Sequence, residues 1–148
     1  MDDRETPLIC MDFPSMDTDG ETTRDKAMAF ATTLILVENK SGYPVAFSVE
    51  TKGGPSHAYL AAAVGKWLDH LGIGKHRLRC NNDVSIQALA TVIAKFRSPK
   101  VTIIEATPLH SWASNGRAER MIQTVRRQAV CLKLGVEQLY GHRVTANH

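Results

Sequence analysis

The order of elements along the chain predicts an α/β fold, a mixed five-stranded sheet with helices on both faces. Two observations carry this reading. Two β-rich runs flank the turn residues Asn39, Lys40, Ser41 and Gly42, which is the signature of an antiparallel hairpin. After the hairpin, helical and strand-like runs alternate, as crossover connections onto a sheet require. The length of 148 residues suits one domain. A domain of that size buries about 68–70% of its unfolded surface, enough for a core without disulfide staples.

Residues 7–13 (PLICMDF) read as a short strand with a carboxylate, Asp12, inside it. Residues 14–26 are polar and acidic with Gly20 and no apolar period, which predicts a loop. The hairpin strands are 31–38 (ATTLILVE) and 45–51 (VAFSVET). Gly53, Gly54 and Pro55 then break the chain, and Ser56 is placed to cap a helix over 57–71. Leu60, Ala61, Val64, Trp67, Leu68 and Leu71 give that helix one apolar face, and Gly72 stops it. Residues 76–80 (HRLRC) form a fourth strand, with 81–83 at its end. Ile86, Leu89, Ala90, Ile93 and Phe96 mark a second helix, and 101–106 (VTIIEA) a fifth strand. Residues 107–116 (TPLHSWASNG) have no period and read as a loop. The last helix carries Ala118, Ile122, Val125, Ala129, Leu132, Val136 and Leu139 at alternating steps of four and three, and Gly141 ends it. If strand 76–80 lies parallel to strand 7–13, Asp12 and the end of strand 76–80 become neighbours, in a ribonuclease-H-like arrangement.

Composition narrows the classes of function. No apolar run approaches the roughly 20 residues of a membrane span, and the acidic start MDDRETP is not built like a signal peptide. Cys10, Cys80 and Cys131 are odd in number and widely spaced, which predicts buried, reduced thiols and no local zinc site. The net charge of +3 hides an asymmetry. Residues 1–25 hold eight acids and two bases, a net of −6, and the rest holds seven acids and sixteen bases, a net of +9. A body that basic attracts polyanions, nucleic acid foremost.

Four stretches carry a family resemblance: MDF at 11–13, VENKSGYPVAF at 37–47, CNNDVSIQAL at 80–89 and TPLHSWASNGRAERMIQTV at 107–125. Through them residues 7–148 resemble the catalytic core of a retroviral-type integrase, in the version found in copia-type LTR retrotransposon polyproteins. Residues 1–6 are then an N-terminal extension. Such cores continue into a further helix beyond the equivalent of residue 148. The resemblance implies DNA integration: polynucleotidyl transfer that processes retroelement ends and joins them to a target. It also implies a homodimer or higher oligomer at work in the nucleus or the retroelement particle. The implied cofactor is Mg²⁺ or Mn²⁺. Hard divalent ions prefer oxygen ligands, and two of them can stabilise the attacking and leaving oxygens of a phosphoryl displacement.

By the same resemblance, Asp12 and Glu119 map onto the first and third catalytic carboxylates. Asp12 reads otherwise as a strand aspartate tied to backbone donors, and Glu119 as a first-turn acid facing the helix dipole. The second carboxylate is where this chain departs from the family. With Ser85 and Ile86 as anchor, the aspartate position holds Asn81 and the glutamate position holds Asp83. Asp83 stands 36 positions before Glu119, a spacing seen in retroviral integrases, and can serve as metal ligand or as N-cap of the second helix. The implied metal set is Asp12, Asp83 and Glu119. Nucleic-acid contacts are expected from Asn115, Gly116, Gln123, Arg126, Arg127 and Lys133. His110 and Trp112 lie in the loop before Glu119, where Trp112 can stack on a base or plug a local cluster. Two rivals stand beside the enzyme: a remnant impaired at Asn81 that only binds nucleic acid or a partner, and a hydrolytic ribonuclease-H-type nuclease. The segment from Ser114 to Arg120 (SNGRAER) favours integrase over the nuclease.

Overall fold

A computed structural model describes residues 6–13, 32–51, 53–81, 83–106 and 116–142. The acidic loop expected over 14–26 lies outside the described residues. So does the loop of 107–115, with His110, Trp112 and Asn115. The elements run β1 (Leu8–Asp12), β2 (Thr32–Glu38), β3 (Pro44–Val49), α1 (Gly54–His70), β4 (His76–Cys80), α2 (Val84–Arg97), β5 (Thr102–Ala106) and α3 (Gly116–Tyr140). The five strands form one sheet in the order β3-β2-β1-β4-β5. β2 is antiparallel to both β1 and β3, while β1, β4 and β5 are mutually parallel. The predicted mixed sheet is the one observed.

Its two faces bury different residues. On one face Leu60, Val64 and Leu68 of α1 and Ile86, Leu89 and Ile93 of α2 pack on Ile9, Leu34, Leu36 and Leu78. Each fully buried Leu or Ile contributes about 1.5–3 kcal/mol over an exposed one. On the other face Ile122 of α3, with Met121 and Val125, covers Leu8, Cys10, Ile35 and Val37. Strand alternation produces this split, since neighbouring residues of β1 point to opposite faces.

The hairpin turn is built as its residues foretold. Glu38 accepts from the backbone N–H of Lys40 and of Ser41 at 3.0 and 2.7 Å. Gly42 closes the turn at φ 73°, where a side chain would be strained.

Several local readings are corrected. α1 is capped by Gly53, and Ser56 lies within its first turn. Pro55 is the reason, because its fixed φ pre-organises the start of a helix ahead of Ser56. Gly116 belongs to α3 rather than to the loop, a helix start where glycine is tolerated. Phe96 is 57% exposed, and Arg97 is buried in its stead. The Arg97 guanidinium donates to the carbonyls of Gly65, Ile73 and Gly74 at 3.2, 2.7 and 3.2 Å, and to the Asp69 carboxylate at 3.3 Å. Those acceptors make a buried charge tolerable. Cys10 and Cys80 are buried as expected, but Cys131 is on the solvent side of α3. The apolar stripe of α3 is buried only at its start, and Leu132 and Leu139 are exposed.

His76, fully buried, gives the fold a pH dependence. Its Nδ1 lies 3.3 Å from the Gly74 carbonyl, which only accepts, so Nδ1 carries the proton. Nε2 has no partner among the described residues. Burial pushes the imidazole below its ordinary 6.5; the Gly74 bond opposes this and the Arg97 charge adds to it. With the folded value depressed, the unfolded chain binds more protons. Stability is therefore full above 6.5 and is lost as pH falls below it. Denaturant midpoints should fall between about pH 7 and pH 5 more steeply for the wild type than for His76→Gln, which cannot titrate.

Candidate active site

The parallel pairing of β1 with β4 sets the geometry. Leu8, Ile9 and Cys10 stand opposite Arg77, Leu78 and Arg79. Two further steps in that register bring Asp12 beside Asn81, the first residue beyond β4. The Asn81 Nδ2 donates to the Asp12 Oδ1 at 3.3 Å. Leu8 and Cys10 face α3, so alternation turns the half-buried Asp12 to that face as well.

A chain of hydrogen bonds continues from this pair into α2. The Asn81 Oδ1 accepts from the Asp83 backbone N–H at 3.0 Å, and the Asp83 Oδ1 accepts from the Ser85 N–H at 2.8 Å. Asp83 is thus the N-cap of α2, one of its two expected roles. Gln87 Nε2 reaches the Asn81 carbonyl at 3.5 Å. The Asn81 amide orientation is fixed from both sides. A flip would set its oxygen against a carboxylate and its NH₂ against a backbone N–H.

Glu119 is exposed in the first turn of α3, three residues ahead of the buried Ile122. Helical neighbours three apart share a side of the helix, so Glu119 lies on the side of α3 that carries Ile122. Among the described residues, no three His, Cys, Asp or Glu side chains converge as metal ligands. The structure joins Asp12, Asn81 and Asp83 in one network and leaves Glu119 outside it. Gln123 and Arg127 are exposed, Arg126 is half-buried, and Lys133 pairs with Glu137 one turn on at 3.4 Å.

One charged row is not evident in the residue pattern. Arg79 donates to Glu105 of β5 at 3.2 Å, and Arg77 lies 3.8 Å from the same carboxylate. Arg77 and Arg79 share the face of Cys10 and Asp12, leading along β4 toward Asn81. The alternation in HRLRC, with His76, Leu78 and Cys80 buried and the arginines between them, is the signal that finds this row. Arg77 also holds the Thr6 carbonyl through two nitrogens, at 3.1 and 3.2 Å. The buried Cys10 thiol beneath is pushed up by burial, against the pull of Arg79.

Comparison with solved structures places the fold. The chain is similar to the catalytic core domain of BIV integrase at TM-score 0.53 and 15% identity, over 88% of this chain and 70% of that one. It is also similar to a chain of the simian T-cell lymphotropic virus intasome in complex with PP2A regulatory subunit B56 gamma. There the TM-score is 0.53 and the identity 13%, over 78% of this chain and 37% of that one. No family model and no curated protein matches the sequence. The fold is ribonuclease-H-like, that of retroviral integrase cores. Among the described residues no helix is long and apolar enough to cross a membrane.

Replacing the α2 cap tests the network where it meets the helix. Asp83→Ala should lower stability by about 1 kcal/mol in denaturant unfolding. A loss near zero would show that the Ser85 N–H is satisfied as well by water.

Proposed function

We propose that this chain is the core of a copia-type retroelement integrase, engaging DNA ends for polynucleotidyl transfer as a homodimer or higher oligomer, in the nucleus or the retroelement particle. One observation carries the reading. In the fold of integrase cores, Asp12 and the residue opposite it meet at the C-terminal ends of two parallel strands, on the face that α3 covers. Ligands of open parallel sheets bind beyond those strand ends.

The proposed cofactor is Mg²⁺ or Mn²⁺, and its expected ligands are Asp12, Asp83 and Glu119. The donor set as placed does not fit a two-ion site. Position 81 offers an amide whose oxygen already accepts the Asp83 N–H, and Asp83 is engaged in capping. Without the ion, these side chains hold the strand ends together and offer cations to phosphate. Asp12, held by Asn81, fixes the strand ends, and the cations of α3 meet phosphate.

A second reading has its own support. The same core acts as a nucleic-acid-binding or interaction module without transfer, favoured by the Asn81 amide that donates to Asp12. Incubation of labelled duplex ends with Mn²⁺ separates the two, since joined products support transfer and binding without joining supports the module.

DNA binding itself is tested by its salt dependence. Affinity for duplex DNA should fall steeply with salt, because counterions are released on binding. Arg126→Ala with Arg127→Ala should flatten the log–log slope by about one unit for each phosphate that the arginines neutralise. Fluorescence anisotropy over a salt series measures it, and an unchanged slope would place DNA on another surface.

A further inference from the structure

We infer that the Asn81 side-chain amide is the built-in counter-group of Asp12, standing where a bound cation would otherwise balance that carboxylate, so that this core holds its site together without metal and binds divalent cations weakly. The inference rests on the reading of the β1 and β4 ends as the functional site.

Both ends of the amide are in use. Nδ2 donates to Asp12 and Oδ1 accepts from the Asp83 N–H. To offer its oxygen to an ion at Asp12, Asn81 must turn, giving up both bonds and setting its NH₂ against the Asp83 N–H. A cation therefore competes with an intact network rather than entering a prepared one. Recruiting the Asp83 carboxylate has a cost of its own, because it leaves the Ser85 N–H in the first turn of α2 without its cap. The backbone of Asn81 is held too, by Gln87 and by its place at the end of β4.

Electrostatics points the same way. Two carboxylates at hydrogen-bonding separation repel unless a cation or a shared proton lies between them. Asparagine at 81 removes that repulsion and replaces it with a donor. Compared with aspartate at this position, asparagine thus makes the metal-free protein more stable while lowering the charge that attracts an ion.

The test uses the purified chain without DNA and Mn²⁺ as the probe. Free Mn²⁺ is followed by electron paramagnetic resonance, and melting is compared in EDTA and in Mn²⁺. The wild type should take up little Mn²⁺ and melt at the same temperature in both buffers. Asn81→Asp should melt lower in EDTA, recover in Mn²⁺ and bind Mn²⁺ about tenfold or more tighter, as an added charge at contact distance requires. Asn81→Ala, which removes the donor and adds no charge, should melt below the wild type in both buffers. Saturable Mn²⁺ binding by the wild type, with a melting rise equal to that of Asn81→Asp, would overturn the inference. If Asn81→Asp does not fold, the other two proteins decide. Tight Mn²⁺ uptake by the wild type, or unaltered melting of Asn81→Ala, overturns it. With DNA absent, a failure of the DNA-binding reading appears in the salt series and not in these curves.

Discussion

The parallel pairing of β1 with β4 is the constraint on which the site depends. A slip of one residue in that pairing would turn Ile9 and Met11 away from the α1–α2 core and carry Asp12 into it. An ionised carboxylate among Leu34, Leu36 and Leu78 would lack partners, and desolvation would oppose it. The apolar core thus fixes the register, and the register sets Asp12 against Asn81. Local hydrogen bonds then extend that pair into the cap of α2, so strand pairing, side-chain network and helix start form one connected unit.

The opposite face of the sheet carries the charges. α3 seals Leu8, Cys10, Ile35 and Val37 through Ile122 and leaves Glu119 exposed at the start of the helix. On that face Arg77 and Arg79 share Glu105, whose single charge balances one of the two. Lys133 is held by Glu137, whereas Arg127 is exposed. The body of the chain is basic by composition.

Much of the fold was legible because burial and periodicity agreed. The continuous β-rich run of β2, a glycine-ended period in α1 and the turn residues of the hairpin each have a local cause. The failures occur where tertiary contacts override a local pattern. Phe96 continues the apolar stripe of α2, yet carbonyls of α1 and of the turn at Ile73 and Gly74 select Arg97 for burial. The stripe of α3 runs on to Leu139 although the sheet beneath is met only around Ile122 and Val125. Asp12 was legible as a carboxylate out of place in an apolar strand. Asn81 was visible as a departure from a pattern, but its bond to Asp12 joins residues 69 positions apart, and local spacing does not report such a contact. Arg79 escaped notice because a short strand with two arginines looks solvent-facing until its neighbours are known.

Whether Asp12 and Asn81 are energetic partners across the β1–β4 register is decided by a double-mutant cycle. Asp12→Ala, Asn81→Ala and the double variant are unfolded in denaturant beside the wild type. A favourable coupling of about 0.5–1.5 kcal/mol is expected, the range for a hydrogen bond within a protein. Strictly additive effects, with no coupling beyond error, would contradict it.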